Sequence, residues 1–196
     1  MTHFWTVGHS TTPIEAFLAI LGGSSIGAVA DIRSYPGSRH SPQFGKAELA
    51  GHLRDAGVEY VHIAELGGRR NAQDVDARCN DAWRNRSFRN YADYTLTPPF
   101  EVGLAELIVL ADSSRTAYLC SEAVPWRCHR TIVSDVLVAR GHHVTHLMGN
   151  QTKEHVLGAW GPEPRCVDGT VTYPADAEQP SLPFVDGDEA DRPSKG

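Results

Sequence analysis

The chain has 196 residues, of which 41% are hydrophobic and 21% are charged, and its formal net charge is −6 at pH 7. This length and composition are typical of one globular domain that buries a core without disulfides or structural metals. The negative charge argues against a protein that coats long nucleic acids by bulk electrostatic attraction. No apolar run approaches the ~20 residues of a membrane-spanning helix, and the N-terminus lacks the features of a secretion signal. We therefore expect a cytoplasmic protein with no membrane partner, whose four cysteines are reduced thiols.

Buried strands and amphipathic helices alternate along the first 148 residues. The sequence predicts helices at residues 11–21, 46–57, 98–111 and 130–141, with a less regular stretch between 64 and 97. It predicts strands at residues 4–9, 26–32, 58–63, 115–120 and 143–147. This alternation indicates an α/β fold, namely a single Rossmann-like or flavodoxin-like three-layer domain with a mainly parallel sheet of about five strands.

The alternating pattern ends near Met148, and this defines three segments. Residues 1–148 form the predicted α/β domain, and residues 149–173 form a peripheral C-terminal extension. Residues 174–196 are rich in Asp, Glu, Pro and Gly, which predicts a disordered acidic tail.

Reactive residues follow four of the five predicted strands. In an open parallel α/β sheet, ligands bind beyond the carboxyl ends of the strands, so these residues are expected to share one edge. The opposite edge carries ordinary turn residues. This asymmetry indicates a functional site, whose candidate members are His9, Ser10, Asp31, Arg33, Ser38, Arg39, Arg69, Cys120 and Glu122.

The segment C-S-E-A-V-P-W-R-C-H-R, residues 120–130, admits several kinds of site. In phosphatase and sulfurtransferase loops, a cysteine precedes an arginine by about six positions and the loop cradles an anion. Here Arg127 lies seven positions after Cys120, and Glu122 and Trp126 are poor linings for such a cradle.

A metal site is the second possibility for this segment. Cys120, Cys128 and His129 are suitable ligands for a metal ion such as zinc. Because adjacent side chains on a helix point in different directions, sharing one ion between Cys128 and His129 would be awkward if both were helical. The sequence itself requires no cofactor.

Acid–base chemistry and a purely structural role are the other two possibilities. Glu122 and Asp31 are candidates for proton transfer, with His9 or His129 as partner. In the structural alternative, the cysteines fill space and Arg130 pairs with one of the two carboxylates. The residues alone leave these alternatives open.

A basic segment between Arg69 and Arg89 suggests nucleic-acid binding as an alternative function. It holds six arginines against three aspartates, and aromatic residues lie within or just after it. Such a segment could contact nucleic acid, but a charged solvent-exposed face has the same composition, so this partner is not favoured. The chain has no G-x-G-x-x-G or Walker-type loop, which weighs against dinucleotide redox and NTPase functions.

Several segments in the same order resemble one protein family. They include T-V-G-H-S, A-D-I-R-S-Y-P-G-S-R-H-S-P-Q-F, E-L-G-G-R-R and the motif C-x-E-x-x-P-x-x-C-H-R, and together they extend over about residues 4–147. The chain thus resembles the domain of unknown function 488 family. The resemblance places eight residues at signature positions of that family but implies no reaction: His9, Asp31, Arg33, Cys120, Glu122, Cys128, His129 and Arg130.

The sequence therefore predicts an enzyme, a hydrolase or transferase, that acts on a small nucleotide-like or phosphorylated anion at the carboxyl edge of the sheet. Catalytic roles are expected for Asp31, Glu122, Cys120, His129 and His9. Cys120 is the candidate nucleophile. The expected substrate-binding residues are Ser10, Arg33, Ser38, Arg39, Arg69 and Arg130. A nucleic-acid-binding or repair-associated module and a Cys/His metalloprotein are the alternatives.

Overall fold

The structure is a computed structural model, and it describes residues 1–37 and 41–175. The strands are β1 (His3–Gly8), β2 (Ala28–Asp31), β3 (Glu59–His62), β4 (Thr116–Cys120), β5 (His143–Met148), β6 (Gln151–Glu154), β7 (Arg165–Val167) and β8 (Thr170–Thr172). The α-helices are α1 (Ile14–Gly23), α2 (Lys46–Asp55), α3 (Arg86–Tyr94), α4 (Pro98–Ser113) and α5 (Arg130–Ala139).

Six strands form one sheet in the order β3-β2-β4-β1-β5-β6. The first five are parallel to their neighbours, and β6 runs antiparallel to β5. β4 lies between β1 and β2, with Cys120 beside Gly8 on one side and Leu119 beside Asp31 on the other. The carboxyl ends of the three central strands therefore meet at one point, as the sequence predicts.

The two faces of the sheet bury separate hydrophobic clusters. Side chains alternate between the faces, so Phe4 packs with α3, α4 and α5 while Trp5 packs with α1 and α2. Phe100 and Leu104 are fully buried on the first face, and Phe17 and Leu49 on the second. The result is the predicted Rossmann-like three-layer α/β fold.

The segment 149–173 adds three strands at the periphery of the domain and places two of its residues in the core. β6 extends the central sheet, and β7 and β8 form a separate antiparallel pair. Val171 and Tyr173 are buried in the cluster beside α5, and the Tyr173 hydroxyl donates a hydrogen bond of 2.7 Å to Asp135 Oδ2. The predicted disordered tail lies outside the described residues from position 176 onward. None of the described helices has the length and apolarity needed to cross a membrane.

Candidate functional site

A cavity of about 690 Å³ opens at the carboxyl ends of β1, β2 and β4. Its described lining combines basic, thiol and aromatic side chains with a single carboxyl group, that of Glu122. The lining residues that the following paragraphs use are His9, Arg33, Gly68, Arg69, Phe88, Tyr91, Cys120, Glu122, Arg127, Cys128 and His129.

Two thiols and an imidazole meet where β4 ends. One side-chain ligand atom from each of Cys120, Cys128 and His129 lies within 4.8 Å of the others, and all three residues are buried. Cys120 is the last residue of β4, and a 3-10 helix at Pro125–Arg127 turns the chain back towards it. We call these three residues the thiol–imidazole cluster.

The backbone between the 3-10 helix and α5 brings Cys128 and His129 to the same place. Cys128 is extended, with φ −146° and ψ 171°, and α5 begins only at Arg130. These neighbours would diverge only if both were helical, and Cys128 is not helical. Because α5 begins at Arg130, as the sequence predicts, both side chains reach Cys120.

The imidazole of His129 has a fixed orientation. Its Nε2–H donates to the main-chain carbonyl of Ile32 over 3.1 Å, which leaves Nδ1 as an acceptor 3.9 Å from Cys120 Sγ. The ring packs against Tyr91, with ring centroids 4.8 Å apart. Gly68 makes room for it, since a Cβ at that position would lie 2.3 Å from Nδ1.

The two thiols have different proton affinities. A hydrogen bond from Cys128 is the main cause that holds the pKa of Cys120 well below that of an ordinary thiol, and His129 and Arg130 act in the same direction against burial. Burial, followed by the contact with Cys120, raises the pKa of Cys128 well above its ordinary value. Cys120 is therefore the thiol that ionises first.

Arg130 is buried behind the loop of residues 121–129 and does not line the cavity. Its guanidinium is 1% exposed and donates through Nε to Cys128 Sγ, 3.1 Å away. It also donates to Thr6 Oγ1 over 3.1 Å and to the main-chain carbonyl of Glu122. The prediction that Arg130 binds an anionic substrate is therefore wrong, because its N–H groups donate to other atoms of the protein.

Asp31 is also displaced from its expected role. It is fully buried, does not line the cavity, and both of its carboxylate oxygens accept hydrogen bonds from Arg33. The hydroxyl of Tyr60 donates a further bond of 2.8 Å to Oδ2. The prediction that Asp31 transfers protons in the cavity is therefore wrong. Asp31 instead forms an ion pair that orients Arg33.

Arg33 and His9 do reach the cavity, but they contact each other. Arg33 donates to the main-chain carbonyl of Phe44 over 2.9 Å and lies 3.2 Å from His9 Nε2. His9 Nδ1 donates to the carbonyl of Ser10, and burial is the main cause that lowers the pKa of His9. A neutral His9 therefore forms part of the wall beside Arg33.

A comparison with protein families identifies the family of the chain. The model of the family described as "Domain of unknown function DUF488" matches residues 13–137. The chain belongs to this family. The matched part of the DUF488 protein runs from α1 into α5 and contains the whole thiol–imidazole cluster. Comparisons with curated proteins and with solved structures find no match.

The remaining predicted site residues of the DUF488 protein have different positions. Arg69 is exposed and lines the cavity, as does the carboxyl residue Glu122. Ser10 does not line it, since its main chain bonds to Ser121 and to the ring of His9. Ser38 and Arg39 lie outside the described residues.

Several residues that line the cavity of this protein are not predicted from its sequence. Arg127 was considered only for its spacing from Cys120, although it is exposed and lines the cavity. Phe88 and Tyr91, both on α3, contribute aromatic lining, and Tyr91 is at the same time buried in the core. The helical spacing of aromatic residues does not by itself distinguish such lining from core.

Three arginines of the Arg69–Arg89 segment are bound within the DUF488 fold. The Arg70 guanidinium lies over the Tyr94 ring at 3.9 Å and donates to two main-chain carbonyls. Arg78 pairs with Asp76, and Arg89 donates to the carbonyl of Ala77. Arg70 and Arg89 are thus tied to main-chain carbonyls, whereas the pair between Arg78 and Asp76 is exposed to solvent.

Proposed function

We propose that this DUF488 protein is an enzyme, a hydrolase or transferase, that acts on a small anionic substrate with Cys120 as the nucleophile. The observation that carries the proposal is the position of Cys120 Sγ in the cavity, 3.9 Å from the acceptor nitrogen of His129. A thiol beside an oriented imidazole is an arrangement that activates a nucleophile. The lowered pKa of Cys120 is consistent with this role.

The imidazole is arranged to accept a proton from the thiol. His129 holds its own proton at Nε2 on the Ile32 carbonyl, so the proton of Cys120 transfers to Nδ1. The sulfur then attacks the electrophilic atom of the substrate, a new bond to Sγ forms, and the bond to the leaving group breaks. The proton held at His129 Nδ1 passes to the leaving group, and Glu122, the carboxyl residue of the described lining, relays it. Water, or a second acceptor in a transferase, displaces the sulfur.

Two exposed arginines at the cavity supply the positive charge for an anion. Within residues 1–37 and 41–175, neither Arg69 nor Arg127 is in an ion pair, in contrast to Arg33. Guanidinium groups bind phosphate and carboxylate groups through paired N–H donors. The partly exposed Phe88 offers flat apolar surface beside them. These features favour a phosphorylated or nucleotide-like molecule with an unsaturated ring.

We also propose that the protein acts in the cytosol on a free small molecule. The four cysteines, Cys79, Cys120, Cys128 and Cys166, are all unpaired, as is usual where thiols are kept reduced. A nucleic-acid partner is less favoured, because Arg70 and Arg89 of the basic segment donate to main-chain carbonyls of the fold itself.

The test is turnover of small anionic substrates, such as phosphomonoesters and carboxylate-bearing thioesters, by the metal-free reduced protein. Cys120→Ser is expected to lower kcat/KM by roughly 10³-fold, since removal of a nucleophile typically costs this much or more. Cys79→Ser is the matched control, because Cys79 lies outside the cavity lining. Turnover that survives Cys120→Ser would contradict the proposal.

A further inference from the structure

We infer that the thiol–imidazole cluster is also a binding site for a thiophilic divalent metal ion of the zinc class, with Cys120, Cys128 and His129 as its ligands. This inference rests on the geometry of the three side chains and not on the proposed reaction. Thiolate sulfur and imidazole nitrogen are the ligand atoms that zinc prefers in proteins.

The spacing of the ligand atoms fits a single ion. Zinc binds sulfur at about 2.3 Å and nitrogen at about 2.0–2.1 Å, so the ligand atoms of a tetrahedral site lie roughly 3.5–3.8 Å apart. Cys120 Sγ and His129 Nδ1 are 3.9 Å apart, and the whole set lies within 4.8 Å. Small rotations of the two cysteine side chains are enough to bring the three atoms around one ion.

The surroundings of His129 are those of a metal ligand. A metal-binding imidazole usually donates its other N–H to a carbonyl or carboxylate, which fixes the tautomer and the ring orientation. The bond from Nε2 to the Ile32 carbonyl does this, and it directs the lone pair of Nδ1 towards the sulfurs. The ring needs no reorientation to bind.

The fourth coordination position faces the cavity. All three ligand residues line it, so an ion bound to them has one side open to water or to an anion. Three protein ligands with an open fourth position are typical of reactive zinc sites, whereas structural sites are closed by four. Arg130 Nε donates a hydrogen bond of 3.1 Å to Cys128 Sγ, a contact of the kind that orients metal ligands.

A second histidine cluster provides a useful contrast. His146 Nε2 and His155 Nδ1 are 2.9 Å apart and share a hydrogen bond, and His155 Nε2 bonds to Asp135 over 3.0 Å. Their nitrogens are thus occupied by one another. Among the residues that the structure describes, the thiol–imidazole cluster is the group whose side chains have the arrangement of a metal site.

Metal binding and nucleophilic attack use the same sulfur. A bound ion occupies the Sγ lone pair of Cys120, so the metal-loaded protein is expected to resist alkylation of that residue. The metal site and the nucleophilic reaction are nevertheless tested by different measurements, so either proposal can fail without the other. Metal content and alkylation test the site, whereas turnover by the metal-free protein tests the reaction.

The experiment uses the full chain without a histidine tag, purified under reducing conditions and stripped of metal by a chelator. It is titrated with Zn²⁺ or Co²⁺, and bound metal is measured by elemental analysis and by the thiolate-to-cobalt absorption band. About one equivalent per chain is expected to bind. Cys128→Ser is expected to weaken binding at least roughly tenfold, while the double variant Cys79→Ser/Cys166→Ser leaves it unchanged.

Alkylation of the wild-type protein gives a test that does not depend on the folding of a variant. Iodoacetamide modification is mapped by peptide mass spectrometry with and without Zn²⁺. Zinc is expected to slow the modification of Cys120 and Cys128 by at least roughly tenfold, and that of the exposed Cys166 much less. The inference is overturned if zinc protects neither residue, or if binding depends on Cys79 or Cys166.

Discussion

His129 Nε2 donates a hydrogen bond of 3.1 Å to the main-chain carbonyl of Ile32, and this bond joins the start of α5 to the end of β2. The two residues are 97 positions apart in the chain. The bond determines which ring nitrogen carries the proton, and therefore which one faces Cys120. Both the proposed thiol chemistry and the metal site depend on that choice.

Replacing the ring nitrogens tests this relationship. His129→Phe keeps a ring against Tyr91 but removes the donor to Ile32 and the acceptor for Cys120. We expect a loss of about 1–3 kcal/mol in the free energy of unfolding, because a buried carbonyl loses its partner. Zinc affinity should also fall at least roughly tenfold, measured as above. His143→Phe, at an exposed position on β5, is the control, and equal zinc affinity in both variants would contradict the assignment.

Gly68 is predicted to be required for the position of the imidazole. A Cβ at this residue would lie 2.3 Å from His129 Nδ1, so Gly68→Ala should displace the ring and reduce both zinc binding and turnover. Gly37→Ala is a matched control, since Gly37 also lines the cavity but its Cβ would meet no atom of the described residues within 4 Å. If Gly68→Ala binds zinc as the wild type does, the ring is less confined than the structure indicates.

Arg130 and Arg127 are three residues apart and should respond differently to the same substitution. Arg130→Met removes a buried guanidinium that donates to Cys128, Thr6 and Glu122, so we expect destabilisation of about 3 kcal/mol in urea denaturation. Arg127→Met changes an exposed side chain and should alter stability by less than about 0.5 kcal/mol while raising KM for an anionic substrate. A reversed pattern would show that Arg130 is the anion-binding residue.

His146 is expected to make stability depend on pH. Burial, together with His155, Arg130 and Lys153, lowers the pKa of His146 from 6.5 to about 3. The folded state therefore keeps this ring neutral where the unfolded chain binds a proton. Stability should fall as pH decreases from about 6.5 towards 3, with a contribution of at most about 1.4 kcal/mol per pH unit.

Urea midpoints measured across this pH range check the prediction. His146→Gln removes the titrating ring and should give a shallower dependence on pH than the wild type. In the wild type, His146 forms hydrogen bonds with the hydroxyl of Thr6 and the ring of His155, and the glutamine amide can form bonds with the same two groups. Equal slopes for the two proteins would mean that His146 does not contribute.

The fold follows from the sequence because its signals are local. Hydrophobic alternation and helix periodicity predict β1 to β5 and the helices α1, α2, α4 and α5 to within a few residues. The parallel arrangement then brings the strand ends together, which correctly places Cys120, Glu122, His9, Arg33 and Arg69 at one cavity. These features need no knowledge of side-chain orientation.

The sequence does not show which buried polar groups form hydrogen bonds with each other. Asp31 and Arg130 both follow strands or loops at the correct edge, yet both are directed into the protein. Their partners come from Arg33, Tyr60 and Thr6, and such contacts depend on rotamers and register in three dimensions. The same applies to Cys128, whose extended backbone, invisible in the sequence, brings its side chain to Cys120.

The most direct test of Cys120 as a nucleophile in an anion-binding cavity compares two alkylating agents of similar size on the metal-free reduced protein. One is the anion iodoacetate and the other is the neutral iodoacetamide. The modification rates of Cys120 and of the exposed Cys166 are measured by peptide mass spectrometry. We expect Cys120 to react at neutral pH and to favour iodoacetate, relative to Cys166, by a factor that decreases when Arg69 and Arg127 are replaced by Ala. Two results would contradict a cavity in which this thiol reacts with a small anion. In one, Cys120 does not react; in the other, the ratio of its iodoacetate rate to its iodoacetamide rate equals that of Cys166 in all variants.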